Sequence, residues 1–361
     1  MLARRSSLSH PMMGEVDLPL LVPAFSSKGF GLKGTRRNGR RHEYTPVVYE
    51  LSDFARSEST AVLVSAYDLH FGHFYAPEFP DYEPQDYLRN AGLVFMDSGG
   101  YELVPDFDST EPRDFPHEIK SGYGSEEYAA TLEHFMSLED PLPLVVANFD
   151  YESRRKPLND QVEEARALFR RFPGCTTNFI IKPWTKSGEV VDPRDLSPAA
   201  LADLRGFDII GVTEKELGRN MFDRLKGVAA LRKGLDEAGN MAPIHIWGGL
   251  DPIMTPLFFF AGAQIFDGVS WLRYAFKSGV AMNRECHSVL NEDMGVTASR
   301  TLNRADASVK NRRFLVNLSI YLQQWVDYDG TRFDMFHPNV RGDLERAYEI
   351  MVSQIPALRG V

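Results

Sequence analysis

The sequence predicts an α/β fold: a closed (β/α)8 TIM barrel followed by a helical C-terminal extension. Three observations predict it. Eight short apolar runs recur between residues 20 and 268. Helical patterns separate several of them. The runs are continuously apolar rather than alternating, as strands covered on both faces by other layers should be. An open doubly wound sheet uses the same units, and the count of eight favours the barrel.

The runs in order are "LLVPAF" (20–25), "AVLVSAYD" (61–68), "GLVFMD" (92–97), "PLVVANFD" (143–150), "NFIIKP" (178–183), "FDIIGVTE" (207–214), "PIHIWGG" (243–249) and "AQIFDG" (263–268). Many end in a polar residue or glycine. Helical periodicity occupies 126–135, 160–171, 219–238 and 252–261. Two proline-rich acidic stretches, 76–87 and 104–118, flank the third run and read as long loops, a common form of functional lid. The tail is mostly helical, with apolar residues at helical spacing in 312–325 and 342–355. Residues 1–282 are thus expected to form the barrel domain, with 283–361 packed on it as a helical segment. No repeat or low-complexity segment interrupts either part.

Hydrophobic residues make up 43% and charged residues 25% of the 361, an ordinary globular composition. No apolar run approaches the ~20 residues needed to span a bilayer. The N-terminal stretch "MLARRSSLSHPMMGEVD" lacks the apolar core of a signal peptide, so a cytoplasmic protein without membrane contact is expected. With two cysteines, Cys175 and Cys286, a secreted disulfide framework is not expected, and a four-ligand zinc site built mainly from cysteine is ruled out within one chain. Both are expected buried or half-buried.

A net charge of −10 excludes a uniformly basic nucleic-acid surface but not a local stripe. The run at 28–42, "KGFGLKGTRRNGRRH", brings Lys28, Lys33, Arg36, Arg37, Arg40 and Arg41 together. Its glycines read as a mobile loop able to hold a phosphate backbone. A second run, with Arg304, Lys310, Arg312 and Arg313, reads as basic on a helix. Phosphate-loop and Rossmann glycine patterns are absent, so no nucleotide cofactor is expected. Asp68, His70 and His73 have a metal-like spacing without a third ligand group nearby, so no metal is expected; a substrate-contacting loop is the better reading.

In such a barrel the site lies at the carboxyl ends of the strands. Asp97, Asp150 and Asp267 each close an apolar run. One acid in that place is often a helix N-cap; three, each attached to a different strand, point to a site. In "GLVFMDSGGYE" (92–102) Asp97 is followed by Ser98, two glycines and an aromatic ring. Gly99 and Gly100 permit a tight turn or a close ligand approach, and Tyr101 can lie over a flat partner. A carboxylate such as Asp150 can accept from the N–H groups of a guanine-like edge. Carboxylates facing one cavity can divide the labour of retaining glycoside chemistry, one attacking carbon while another moves protons. The composite suggests cleavage and remaking of an N-glycosidic bond. Nearby, His245 reads as a core histidine and Trp247 and Trp271 as packing, with Trp271 close enough to Asp267 to shape a pocket. Glu214 and Glu216 either touch an incoming base or are helix N-terminal acids.

These pieces resemble the tRNA-guanine transglycosylases. "DSGGYE" resembles the family's "DSGG(F/Y)Q", "VVANFDYE" its "FDEC" strand and "FDIIGVTEKELG" its "GGLxxGE" turn. "HIWGGLDP" is similar to "LMGVGTP", and "AGAQIFDGVSWLR" to "GVDMFDCVLPTR". The pieces fall in the family's order over residues 60–280. The resemblance implies a (β/α) barrel in which Asp267 is the nucleophile on C1′ and Asp97 the general acid/base. It implies that Ser98 and Asp150 hydrogen-bond the base, that Tyr101 stacks on it and that Gly211 offers backbone contacts. Arg273 would contact the nucleic-acid backbone or a neighbouring base. Lys182 of "FIIKPW" stands where the family has the glutamine of "GIVQG" that reads the base.

Two further departures bear on the substrate. The tRNA enzymes carry a "CxCxxC…H" zinc site after the nucleophile strand, where this chain offers Cys286 and His287, and "LPTR" has become "SWLR". Both favour the sister branch that places 7-deazaguanines into DNA. The expectation is exchange of guanine in DNA for a 7-deazaguanine base (preQ0), without a cofactor, with Arg36, Arg37, Arg40 and Arg41 on the displaced backbone. A DNA-opening partner protein would suit the acidic net charge. The alternatives are exchange in tRNA, a non-catalytic nucleic-acid-binding subunit of a modification complex, and a barrel hydrolase of small glycosides.

Overall fold

The computed structural model describes residues 1–37, 39–55, 61–104, 117–150, 156–184, 190–290 and 295–359, with the side chains of Arg37, Phe54 and Ala55 excepted. Eight parallel strands close into a barrel: β1 Leu20–Phe25, β2 Ala61–Ser65, β3 Leu93–Asp97, β4 Leu144–Ala147, β5 Thr176–Ile181, β6 Ile209–Thr213, β7 Ile244–Trp247 and β8 Ile265–Gly268. They follow one another around the ring in sequence order, and β8 returns to β1 with Asp267 opposite Val22. Each falls on one of the eight apolar runs.

The continuous hydrophobicity has a simple cause. Every second residue faces inward, and Val22, Leu63, Phe95, Val145, Ile180 and Ile265 join one apolar cluster inside the ring. The residues between them, such as Val62, Val94, Val146 and Ile210, join the outer cluster beneath the helices. The major surrounding helices are α1 Val47–Ala55, α2 Ser125–Met136, α3 Leu158–Arg171, α4 Met221–Glu237 and α5 Met254–Phe260. Sequence and structure agree on α2 to α5 to within two residues at each end. The Asn220 side chain caps α4 by accepting from the Asp223 N–H.

The tail is built into the barrel wall. Helix α6, Arg300–Asp327, buries Asn303, Ala307, Asn311, Leu315, Leu318, Leu322 and Trp325, a single face at spacings of three and four. It lies against β1: Ser319 Oγ donates to the Pro19 carbonyl at 2.9 Å and Gln323 Nε2 to that of Leu18 at 3.3 Å. Helix α7, Pro338–Gln354, packs on α5. A hairpin of Ser7–His10 and Gly14–Asp17 lies at the amino-terminal end, where Leu8 and Leu18 complete the inner cluster.

Three expectations are corrected. The glycine-rich basic run is not a loop throughout: Lys33–Arg37 and Arg40–Tyr44 form an antiparallel hairpin, with Gly39 at φ +78° between the strands. Lys28 is buried rather than set out for phosphate. Cys286 is exposed, although Cys175 is buried as expected. Most of the stretch 104–118, at 105–116, lies outside the described residues. Among the described residues no helix is long and apolar enough to cross a membrane.

Candidate active site

Asp97 ends β3 on the inward-facing register of Leu93 and Phe95, so its carboxyl group lies at the carboxyl-terminal end of the barrel, where the sites of such folds are built. The glycines after it have separate jobs. Gly99 takes φ +90°, the left-handed region, and a Cβ there would sit 2.6 Å from the Tyr67 Cβ. At Gly100 a Cβ would fall 2.6 Å from Asp150 Oδ1. Gly99 makes the turn, and Gly100 lets the acid from the β4 loop reach the end of β3. Asp150 there accepts from Ser98 Oγ at 2.5 Å.

Asp267 arrives from β8 on the same side. Its Oδ1 lies 3.0 Å from His245 Nε2 and accepts the Gly248 N–H at 3.1 Å. Burial first, then the charges of Asp150, Glu102 and Asp267, push the Asp97 carboxyl well above the usual range. An acid so held gives up its proton less readily than an exposed carboxyl. Glu102 is the fourth member. It is buried at the start of the short helix Gly100–Leu103 and accepts from Ser26 Oγ at 2.5 Å and Ser65 Oγ at 2.7 Å. Burial, then the Asp68 charge, raises it to about 7, against the pull of the two hydroxyls.

Cations border the acids. Lys182 Nζ lies 2.6 Å from Glu216 Oε2 and 3.5 Å from Asp150 Oδ2, and donates to Thr213 Oγ1 at 3.2 Å. Lys28 Nζ donates to the carbonyls of Tyr101 (2.6 Å) and Val104 (2.8 Å) and sits 4.3 Å from the centre of the Tyr101 ring. Arg273 Nη2 donates to the Tyr101 hydroxyl at 2.8 Å. Tyr101 is therefore fixed at the rim by two cations, with 36% of its surface exposed. Beside Asp150 and Lys182 opens a cleft of about 370 Å³, bordered also by Ser125, Phe149 and Gln161. Neither Asp97 nor Asp267 lines it, so it adjoins the acid cluster without being its centre.

Most of the residues that the sequence nominated come together: Asp97, Ser98, Gly99, Gly100, Tyr101, Asp150, Lys182, Asp267 and Arg273 border one end of the barrel. Gly211 does not. It lies mid-strand in β6, in register with Ile180 and His245, where a Cβ would come 2.5 Å from Trp247 Nε1 and 2.9 Å from Asn178 Oδ1. Its backbone belongs to the sheet, and its contribution is room. Arg36 pairs with Arg41 and Arg37 with Arg40 in the backbone register of the hairpin that follows β1, and Arg36, Arg40 and Arg41 are exposed. The hairpin is fastened to neighbouring loops by Lys120 Nζ on Glu43 (2.7 Å) and by His42 Nε2 at the Gly72 carbonyl (3.0 Å). In the second basic run, Arg304 is paired with Glu50, and Lys310 lies 2.9 Å from Asp306.

Glu214 turns away to pair with Arg224, so only Glu216 of that pair of acids faces the site. Trp271 is packing, as read: it is buried edge-on to Phe25 and donates to the Ala24 carbonyl at 3.0 Å. Asp68 accepts from the Ser27 N–H (2.8 Å) and lies 2.7 Å from His73 Nδ1; it is engaged within the fold. Among the described residues no group of three or more His, Cys, Asp and Glu side chains is placed to hold a metal.

Sequence reasoning missed Glu102, Lys28 as a clamp, and the partners of Asp267. Glu102 was in plain view in the same motif. His245 shares the inward register of Trp247, which places it beneath a rim acid.

The fold and site define a (β/α)8 barrel with a largely buried cluster of acids at the carboxyl ends of its strands. No family model matches the chain, and no curated protein matches it in sequence.

Proposed function

We propose that this protein is a base-exchanging transglycosylase that replaces guanine in DNA with a 7-deazaguanine through a covalent aspartyl–sugar intermediate. The observation that carries the reading is the convergence of Asp97, Asp150 and Asp267, with the Asp97 carboxyl raised well above the usual range by burial and by the neighbouring acids. The motif order resembling the guanine transglycosylases supports the choice of substrate, and the departures at "SWLR" and Cys286–His287 favour DNA over tRNA.

The steps balance on two carboxyl groups. Asp267 attacks C1′ of the target nucleoside, an aspartyl–sugar ester bond forms and the glycosidic C–N bond breaks. The departing guanine takes the Asp97 proton on the nitrogen that held the sugar. Asp97, now a carboxylate, receives the corresponding N–H proton of the incoming deazaguanine, whose nitrogen displaces Asp267 from C1′. Two inversions give net retention. Asp150 and Ser98 face the polar edge of the base, and Tyr101 flanks it. In duplex DNA the target leaves the stack at a cost of a few kcal/mol. The exposed arginine hairpin supplies backbone contacts, and a strand-opening partner protein would lower that cost.

Labelled guanine mixed with the protein and either duplex DNA or tRNA tests the reading. Label entering DNA supports it, and label entering tRNA alone replaces DNA by tRNA. Label in neither polymer, with intact DNA binding, leaves the non-catalytic subunit. The Asp267→Asn variant should bind DNA and form no covalent adduct, and full exchange activity in it removes the proposed nucleophile.

A further inference from the structure

We infer that His245 is the positioning residue of the Asp267 carboxylate: it holds one oxygen as an acceptor and so selects the other for delivery to the sugar. That role rests on the proposed function for Asp267 as nucleophile; the hydrogen-bond chain beneath it does not.

His245 is completely buried in β7, on an inner face where branched apolar residues are the rule. Its ring packs against Phe95 at 5.5 Å and Trp247 at 4.4 Å between centroids. An imidazole in such a place costs stability unless its nitrogens find partners. Both do. Nδ1 lies 2.7 Å from Asn178 Nδ2 and Nε2 lies 3.0 Å from Asp267 Oδ1. An amide nitrogen can only donate, so with the Asn178 amide set this way round Nδ1 accepts and Nε2 carries the ring proton. That N–H then points at Oδ1, which also takes the Gly248 N–H. Two donors fix one carboxylate oxygen, and among the described residues no hydrogen bond reaches Oδ2. A carboxylate pinned on one side cannot swing about its last bond, and its second oxygen is presented in one direction.

Asn178 is fully buried in β5, and His245 stands in β7, with β6 between them. The amide crosses that strand at Gly211, where a Cβ would lie 2.9 Å from Asn178 Oδ1. The missing side chain is what allows the chain Asn178–His245–Asp267 to form. Packing alone calls for none of these three polar residues in the middle of the barrel.

Two measurements on the full-length protein test the role. Long-range proton–nitrogen NMR on the free protein should show His245 as the neutral Nε2-protonated tautomer, with its signals shifted by Asp267→Asn. Single-turnover adduct formation on a guanine-containing DNA duplex should fall about 10²-fold in His245→Ala, with duplex affinity within twofold of the wild type. His245→Gln, which can donate from the same side, should recover at least tenfold of that loss. If His245→Ala does not fold, His245→Gln and the tautomer still decide the matter. Wild-type rates in His245→Ala, or an Nδ1-protonated ring in a wild type that does form adduct, overturn the role of His245 alone. No adduct from the wild type with DNA or tRNA overturns the nucleophile, and this role with it.

Discussion

Replacing Glu102 by glutamine removes a buried charge while keeping its volume. The carboxyl is 1% exposed and titrates at about 7 instead of 4.5. Its folded-state value lies above the unfolded one, so its contribution to stability is fully present below pH 4.5 and is lost as the pH rises through 7. That interval corresponds to about 3 kcal/mol. Urea denaturation of the wild type between pH 4.5 and 8 should therefore show a loss of that order that Glu102→Gln lacks. Ser26 and Ser65 can rotate their hydroxyls to serve the amide, so the variant should fold. Activity should respond as well. The Glu102 charge helps to raise Asp97, so the variant should lose activity at lower pH, where Asp97 now gives up its proton. A variant with the wild-type dependence of stability on pH, and the same basic limb of the exchange reaction, would refute the coupling of these two acids.

The other predictions concern separate parts of the molecule. Gly211→Ala drives a Cβ into Trp247 and Asn178, and should cost about 1–3 kcal/mol in denaturant titration and slow adduct formation. Arg36→Ala and Arg41→Ala should each lower the slope of log affinity against log salt for a DNA duplex by about one. They should leave stability unchanged or slightly raised, because like charges pair in the backbone register of the hairpin; an unaltered salt slope removes the hairpin from the interface. Trp325→Ala empties a buried site 4.2 Å from the Phe260 ring centre and should cost about 3–5 kcal/mol within one cooperative transition. Separate melting of the tail would make 283–361 an independent unit.

The barrel was legible because burial on both faces leaves a strong mark: β1 through β8 could be read directly from apolar runs. The acids at the strand ends were legible for the related reason that charge interrupts such runs abruptly. Less visible was anything that depends on facing. His245 looks like one polar residue in a buried strand until the inward register is known, and Asn178 becomes its partner only through the neighbouring strands. The arginine hairpin escaped because its signal, Asn38–Gly39, is flanked by charge and not by the alternating apolar residues that usually mark a hairpin. Lys28 belonged by sequence to a basic run and by geometry to the Tyr101 clamp.

The placement of α6 has a consequence for how the molecule is made. Arg5 pairs with Asp327 at 2.5 Å, and residues 18 and 19 are held by 323 and 319. On a ribosome, the first strand of the ring waits for a covering that is synthesised some three hundred residues later. Until that helix emerges, one flank of the nascent sheet stays bare, the kind of surface on which chaperones act. Completion of the barrel wall should therefore wait for helix α6 rather than proceed strand by strand.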